Sequence, residues 1–231
     1  AQLLYALPEN QNVKKASAAF DRRTAQADAA NLDALPFSDL TAMRLLAKRL
    51  ERQDGTVLHL GNSSVVRNAA LFFDSHRLRV HCNRGVNGIE GSLSTAVGHA
   101  LGTTWQVWAV LGDLSALYDA NALWNTQLPA NLRIVVFNNG GIYNGVGVNP
   151  GGGDAPAPTT LDINAQYNLR GECFGAAGYR VDNVADLKKA LTEAIASKKP
   201  ALIDVQLAAD SGKESGHIGY LNPAPLIDYT V

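Results

Sequence analysis

The sequence contains one carboxylate and a pair of amides at a spacing that could hold a metal ion against a phosphate group. Residues 112–115 (GDLS) lead from an apolar run into a predicted helix, and residues 138–141 (NNGG) follow the next apolar run. Backbone N–H groups at a helix start can hold a phosphate, but a carboxylate beside it repels the phosphate unless a cation lies between them. Asp113, the Asn139 side-chain carbonyl and a carbonyl of the Gly140-Gly141 turn are hard oxygen ligands of the kind Mg²⁺ prefers. The alternative is that Asp113 only caps the helix.

The elements that must position these residues are visible in the hydrophobic pattern. Apolar, β-branched runs predict strands at residues 56–60, 79–82, 106–111, 132–137 and 201–205. Helical patterns lie near 63–73, 91–101, 115–127, 162–174 and 184–197, and another helix is predicted after Pro36 with Ser38 as its N-cap. Continuous apolar runs indicate strands covered on both faces. The fold class predicted is therefore α/β, a doubly wound parallel sheet with helices on both faces.

In an open parallel sheet, ligands bind beyond the carboxyl ends of the strands. Four predicted strands are followed there by small and polar residues, at 61–64, 83–91, 112–115 and 138–141. Each stretch alone is an ordinary turn, since glycine and asparagine are common turn residues. Together they predict one cleft along one edge of the sheet.

Composition narrows the classes of function. The 231 residues are 46% hydrophobic with 21 glycines, enough apolar side chain for a full core, which excludes intrinsic disorder. A net charge of −1 gives no electrostatic reason to expect nucleic acid or an anionic membrane surface as partner. Cys82 and Cys173 form neither a disulfide framework nor a metal-binding spacing, and no apolar run approaches the roughly 20 residues of a membrane span. We expect a soluble, cytoplasmic protein with a small-molecule ligand.

The Gly-Asp and Asn-Asn motifs, with Asn139 lying 26 residues after Asp113, resemble the signature of thiamine diphosphate (ThDP) enzymes. The resemblance implies the thiamine diphosphate-binding fold, and within it the diphosphate-binding (PP) domain. It implies that Asp113, Asn139 and Gly141 hold Mg²⁺ against the cofactor's diphosphate. The further positions expected to bind the cofactor are Asn62, Ser63, Gly85, Asn87, Ile89, Gly112, Leu114, Ser115 and Ile142.

Two families of ThDP enzymes are similar to different stretches of the chain. Within residues 37–139, the stretches FSDLTA, VLHLGNSSVVR, CNRGVNGIEGSLSTAVG and GDLSALYDANALWN resemble 2-succinyl-5-enolpyruvyl-6-hydroxy-3-cyclohexene-1-carboxylate synthase of the menaquinone pathway. This resemblance implies that Ile89 is an apolar wedge under the cofactor. It also implies that Arg67 and Arg84 bind substrate carboxylates, which a guanidinium pairs in bidentate fashion.

The later stretch, residues 136–223, resembles oxalyl-CoA decarboxylase and 2-hydroxyacyl-CoA lyase in VFNNGGIYNGVG, PAPTTL and ESGHIGYLNP. That resemblance implies that Tyr143 lies near the reacting centre. The expected activity is thus that of a transferase joining decarboxylated 2-oxoglutarate to isochorismate, or of an acyl-CoA decarboxylase or lyase. A non-catalytic phosphate-binding module is the remaining alternative. His81 and His217 are additional acid–base candidates, whereas His59 is expected to be packed.

The expected domain organisation is a helical linker at 1–36, the PP domain at 37–210 and a C-terminal tail or lid at 211–231. Enzymes of this class also need a glutamate on a pyrimidine-binding (PYR) domain, and no second domain is recognisable in the sequence. We therefore expect the chain to be inactive alone, as a fragment, a split subunit or a chimera of two families. The expected partners are a PYR domain or subunit, a small 2-oxo acid or acyl-CoA substrate, and further copies in a dimer or tetramer.

Overall fold

The computed structural model describes residues 37–73, 78–125, 127–139 and 174–207. Several expectations fall outside these residues: the 1–36 linker, the 211–231 tail, the helix near 162–174 except its last residue, and the site positions Gly141, Ile142 and Tyr143.

The described residues form one six-stranded sheet in which every neighbouring pair of strands is parallel. The strands are β1 (Thr56–Leu60), β2 (Arg79–Cys82), β3 (Gln106–Gly112), β4 (Leu132–Asn138), β5 (Ala177–Val181) and β6 (Ala201–Gln206), in the order β2-β1-β3-β4-β6-β5. The helices are α1 (Asp39–Leu50), α2 (Ser64–Phe72), α3 (Ser92–Leu101), α4 (Asp113–Tyr118) and α5 (Val184–Ala196), with a 3-10 helix at Ala120–Trp124. The predicted doubly wound α/β class is confirmed.

Helices cover both faces of the sheet, and two apolar clusters fill the space beneath them. Leu46 of α1, Leu187 of α5 and Trp108 of β3 belong to the cluster on one face. Leu93 of α3 and Ala109 of β3 belong to the cluster on the other face. Successive residues of β3 are thus buried on opposite faces, as its continuous apolar sequence predicts. Each large side chain buried in this way contributes about 1.5–3 kcal/mol.

The predicted start of α1 is confirmed in detail. The Ser38 Oγ accepts a hydrogen bond from the Thr41 N–H at 3.3 Å, and the Thr41 Oγ1 accepts one from the Ser38 N–H at 2.8 Å. This reciprocal capping box satisfies two backbone donors that a helix start otherwise leaves unpaired. In the part of the chain described here, no helix has the length and apolar character required to traverse a bilayer.

Two sequence predictions about the elements are wrong. The helix expected over 115–127 is α4, which ends at Tyr118, because the Asp119 carboxylate turns away to accept hydrogen bonds from the backbone N–H and the hydroxyl of Ser94. The second error is the omission of β5. Its sequence, AGYRV, has no continuous apolar run because β5 is an edge strand that is only partly buried.

The strand order places a cleft at a defined point of the sheet. From β1 the chain crosses to β2 on one side and then returns to β3 on the other, so β1 lies between them. At such a reversal of direction the connections leave the carboxyl ends of the two strands on opposite sides, which opens a crevice between β1 and β3. The residues that follow these two strands are therefore the first to consider as a site.

Candidate active site

The pairing of the strands brings Asn62, Arg84 and Asp113 to one edge of the sheet. Leu60 of β1 lies opposite Cys82 of β2, and each of these residues is two positions before Asn62 and Arg84, respectively. On its other side β1 pairs in register with β3, which ends immediately before Asp113. Neighbouring strands are about 4.8 Å apart, so the predicted cleft residues lie side by side.

Asp113 and Asn139 emerge from adjacent strands at the same edge. Gly112, the last residue of β3, pairs with Phe137 of β4, so the residues that follow both strands are neighbours. A carboxylate and an amide oxygen form an oxygen-only donor set, and Mg²⁺ in proteins typically adds phosphate oxygens and water to one or two such ligands. Among the described residues, a Cβ added at Gly112 would meet no atom within 4 Å, so none of them covers the backbone there. The residues present therefore fit a Mg²⁺–diphosphate group; the third expected ligand, Gly141, lies outside the described residues.

The Asp113 carboxylate also makes a local contact. Its Oδ1 accepts a hydrogen bond from the Leu114 N–H at 2.7 Å. Asp113 is the first residue of α4, whereas Gly112 is the N-cap. The side chains of Leu114 and Ser115 are buried, so only their backbone groups could contact a cofactor. Both alternatives for Asp113, a metal ligand and a helix-capping group, remain compatible with this geometry.

The connection from β1 to α2 contains a strained residue. Ser63 has φ 69° and ψ −134°, which is unusual for a residue with a side chain. Such conformations cost roughly 1–3 kcal/mol and tend to occur at functional sites. Asn87, in the loop after β2, has φ 58°, a left-handed conformation that asparagine tolerates better than most residues. Both residues were predicted to contact the cofactor, and both are exposed at the cleft edge.

The two arginines predicted to bind substrate are exposed at the same edge. Arg67 lies in the first turn of α2, the helix that begins just after β1. Arg84 lies in the β2–α3 loop (residues 83–91), and its Nη1 donates a hydrogen bond to the Asn62 Oδ1 at 3.1 Å. Gly85 of the same loop is exposed and Ile89 is half-buried. The edge thus carries positive charge beside the proposed metal ligands.

Comparison with known proteins identifies the family. Residues 60–205 match the thiamine pyrophosphate enzyme, C-terminal TPP binding domain. The chain belongs to the thiamine pyrophosphate enzymes. Thiamine pyrophosphate is another name for ThDP, so the family that the sequence resembles and its diphosphate-binding domain are confirmed.

Curated relatives of this thiamine pyrophosphate enzyme chain come from both families predicted. The 2-succinyl-5-enolpyruvyl-6-hydroxy-3-cyclohexene-1-carboxylate synthase of Christiangramia forsetii is 47% identical over 111 residues, 47% of this chain and 19% of that protein. The synthase of Bacteroides thetaiotaomicron is 39% identical over 175 residues, 73% of this chain and 31% of that protein. Oxalyl-CoA decarboxylase of Escherichia coli is 35% identical over 191 residues, 81% of this chain and 33% of that protein. The chain spans a third or less of the length of these relatives.

The share of this chain that each relative covers tests whether the chain changes from one family to the other at Asn139. The Bacteroides synthase aligns with 73% of this chain. Neither the part before Asn139 nor the part after it is that long, so the synthase is similar to both parts. The same holds for the decarboxylase at 81%. Either family alone therefore accounts for the whole matched region, and a chimera is not needed to explain it.

Solved structures share the fold of the thiamine pyrophosphate enzyme chain. Benzoylformate decarboxylase from Polynucleobacter necessarius superposes with a TM-score of 0.59 at 22% identity, over 78% of this chain and 35% of that one. A thiamine diphosphate-dependent 4-hydroxybenzoylformate decarboxylase from Rhodococcus jostii RHA1 gives a TM-score of 0.60 at 24% identity, over 76% of this chain and 33% of that one.

The sequence analysis missed a cluster of three histidines on the face of the sheet covered by α3. The Nε2 of His59 lies 2.9 Å from the Nδ1 of His99, and His81 stacks on His59 with ring centroids 5.1 Å apart. Burial, together with the smaller effects of the nearby His81 and His99, lowers the pKa of His59 to about 4. His59 is packed as predicted, and His81 lies within β2, opposite His59, in the strand predicted over 79–82. In the described ranges no His, Cys, Asp and Glu side chains form a metal-binding group of three or more.

The sequence analysis also missed Asp204, which accepts a hydrogen bond from the first asparagine of the Asn-Asn motif. The Asn138 Nδ2 donates a hydrogen bond to the Oδ1 of Asp204, a buried residue of β6, at 3.2 Å. Burial raises the pKa of Asp204, while hydrogen bonds from Asn138 and Gln206 and the charge of Arg180 oppose that rise. The sequence signal was available, because Asp204 is a charged residue within an otherwise apolar strand.

Proposed function

We propose that this chain binds the Mg²⁺–diphosphate end of ThDP in a 2-succinyl-5-enolpyruvyl-6-hydroxy-3-cyclohexene-1-carboxylate synthase, which joins decarboxylated 2-oxoglutarate to isochorismate. The observation that carries this proposal is the position of Arg67 and Arg84, exposed at the sheet edge that also carries Asp113 and Asn139. Two guanidinium groups suit substrates with several carboxylates, because each can pair with a carboxylate through two parallel hydrogen bonds. The synthase relatives support the same assignment.

In this proposal, Asp113, Asn139 and the Gly141 carbonyl hold Mg²⁺, and the open backbone at Gly112 approaches the diphosphate. Ile89 supports the cofactor from the β2–α3 loop. When bound, ThDP supplies a nucleophilic carbon and an electron sink, and the protein supplies position and charge. Arg67 and Arg84 hold the substrate carboxylates and thereby orient the reacting carbonyl.

The complete activity further requires a glutamate from a PYR domain, in the same polypeptide or in a partner. We propose that the enzyme works in the cytoplasm as a homo-oligomer, a dimer or tetramer. The balanced composition and the low net charge support a protein that acts on small molecules in aqueous surroundings.

A second candidate is an acyl-CoA decarboxylase or lyase. The observation that favours it is the alignment of the Escherichia coli oxalyl-CoA decarboxylase with 81% of this chain. In that alternative Tyr143 is the residue near the reacting centre, and the arginines contact another part of the substrate.

Turnover by the protein together with its PYR domain distinguishes the candidates. The synthase proposal predicts that the protein consumes 2-oxoglutarate together with isochorismate and does not consume oxalyl-CoA. Arg84→Met is expected to raise the KM for 2-oxoglutarate or isochorismate at least roughly tenfold, the loss expected for a hydrogen bond to a charged group. Arg52→Met is a matched control, because Arg52 is an exposed arginine beyond α1, before β1, at the opposite edge of the sheet. Turnover of oxalyl-CoA alone would transfer the assignment to the second candidate.

A further inference from the structure

Asn62 has a different set of contacts from those expected of a cofactor ligand. It directly follows Gly61 at the end of β1, and only 3% of its surface is exposed. Its Nδ2 donates hydrogen bonds to the Asn83 carbonyl at 2.8 Å and to the Gly88 carbonyl. Its Oδ1 accepts from the Arg84 Nη1 at 3.1 Å and from the Cys82 Sγ at 3.5 Å. Four groups of β2 and the β2–α3 loop thus converge on one amide.

The hydrogen-bonding capacity of this amide is fully used. A primary amide has two N–H donors and an oxygen with two lone pairs, and each of these has a partner in the structure. The orientation is also fixed by chemistry, because backbone carbonyls only accept and a guanidinium only donates. Reversing the amide would place its oxygen against two carbonyls and its N–H groups against Arg84. The Asn62 side chain therefore has no donor left for a diphosphate oxygen.

The loop held by Asn62 contains many of the predicted site residues. Within the β2–α3 loop lie Arg84, Gly85, Asn87 and Ile89, and most of the loop is exposed without regular secondary structure. Two left-handed residues, at 87 and 91, bend its path. A second amide, Asn83, fastens the loop to α3 by donating to the Thr95 Oγ1 at 3.0 Å. A loop of this kind owes its conformation to such tertiary hydrogen bonds rather than to a packed core.

We propose that Asn62 is a positioning residue that fastens the β2–α3 loop to the end of β1 and orients the Arg84 guanidinium toward the substrate. Its side-chain amide does not contact the cofactor. This inference rests on the proposed function for the role of Arg84 as a substrate ligand, but the loop-holding part concerns only contacts within this chain. The amide acts at two points: its N–H groups hold the backbone at residues 83 and 88, and its oxygen holds the side chain between them.

Hydrogen exchange in the full protein tests the loop-holding part without any substrate. Asn62→Asp is nearly isosteric but loses both N–H donors and places a carboxylate against two carbonyls. We expect faster amide exchange across residues 83–91 in this variant. Asn131→Asp is the matched control, because the Asn131 Nδ2 donates to the carbonyls of residues 100, 103 and 105 at the opposite edge. In the control, amide exchange should become faster around residues 100, 103 and 105 and stay unchanged across residues 83–91. Unchanged exchange across 83–91 in Asn62→Asp would overturn the proposal.

A double-mutant cycle tests the orientation of Arg84. Asn62→Ser is a milder change that also serves if the aspartate variant does not fold. We expect it to raise the KM for the carboxylate substrate roughly tenfold in the natural background and less than about twofold in the Arg84→Met background, because Asn62 acts through Arg84. The dissociation constant of ThDP should change by a smaller factor than the KM in Asn62→Ser, because Arg84 is the loop residue that the Asn62 oxygen holds directly. Equal effects in both backgrounds, or a larger effect on ThDP than on substrate, would contradict the proposal.

The choice of substrate does not compromise this test. If the protein turns over oxalyl-CoA rather than 2-oxoglutarate, the proposed function fails while the exchange result still decides whether Asn62 holds the loop. The cycle is then measured with oxalyl-CoA, and lack of coupling between residues 62 and 84 overturns the orienting role.

Discussion

The carboxylate of Asp113 accepts a hydrogen bond from the N–H of Leu114, with 2.7 Å between Oδ1 and N. This contact allows the two roles of Asp113 to be separated experimentally, because asparagine can accept the same hydrogen bond but carries no charge. The helix-capping role needs only the oxygen, whereas a Mg²⁺ ligand beside a diphosphate also needs the negative charge.

Asp113→Asn is therefore expected to weaken Mg²⁺-dependent ThDP binding at least roughly tenfold, in line with the cost of disturbing metal sites. Calorimetric titration with ThDP, with Mg²⁺ and after its removal by chelation, measures the effect. In the natural protein, removal of Mg²⁺ should weaken binding strongly, and in the variant it should matter little. If Asp113→Asn binds ThDP as tightly as the natural protein does, only the helix-capping role of Asp113 remains.

The sequence was sufficient to locate the edge of the sheet that carries the candidate site. Strands β1 to β4 were predicted within a residue at each end, since each predicted run stops at a glycine or an asparagine. Parallel strands then place those polar ends together, so Asp113 and Asn139 could be paired from sequence alone.

Side-chain partnerships across the fold were not predictable in the same way. Asn62 was expected at the cofactor, but its partners lie in a loop whose path is set by tertiary contacts. His59 and His99 are separated by 40 residues, and only the packing of α3 on the sheet brings their rings together. Asp119 ended a helix earlier than propensity suggested because its best hydrogen-bond donor lies on α3. Local pattern carries no information about such contacts.

The strained backbone at Ser63 leads to a prediction about stability. Glycine adopts positive φ without a steric cost, so Ser63→Gly should relieve strain and raise the melting temperature by roughly 2–4 °C for each kcal/mol gained. Ser63→Ala keeps the strain and should not raise it. Both variants lack the hydroxyl, so an activity loss shared by both would identify a contact made by that group. Calorimetry that shows no difference between glycine and alanine at this position would argue against strain.

The contact between Asp119 and Ser94 predicts a structural role at the start of α3. The buried carboxylate accepts from the Ser94 N–H at 2.7 Å and from the hydroxyl, so Asp119→Ala leaves an unpaired donor at the helix start. We expect a loss of about 1–3 kcal/mol in the free energy of unfolding, measured by urea denaturation. Asp54→Ala, at an exposed aspartate before β1, should change it little. Equal stabilities of the two variants would show that the cap contributes nothing.

Buried His59, in contact with two other histidines, predicts a loss of stability in acid. The pKa of His59 is lowered to about 4 in the folded chain, against 6.5 ordinarily, so the unfolded chain binds the proton more readily. The stabilisation is therefore complete above pH 6.5 and is lost as pH falls toward about 4, by at most roughly 3 kcal/mol. His59→Gln cannot titrate but can still bond to His99. Urea denaturation across this pH range should show a smaller fall in the free energy of unfolding for the variant than for the natural protein. Carboxylates contribute equally to both proteins, so the difference reports on His59. Equal slopes would show that His59 is not the group that loses its proton on folding.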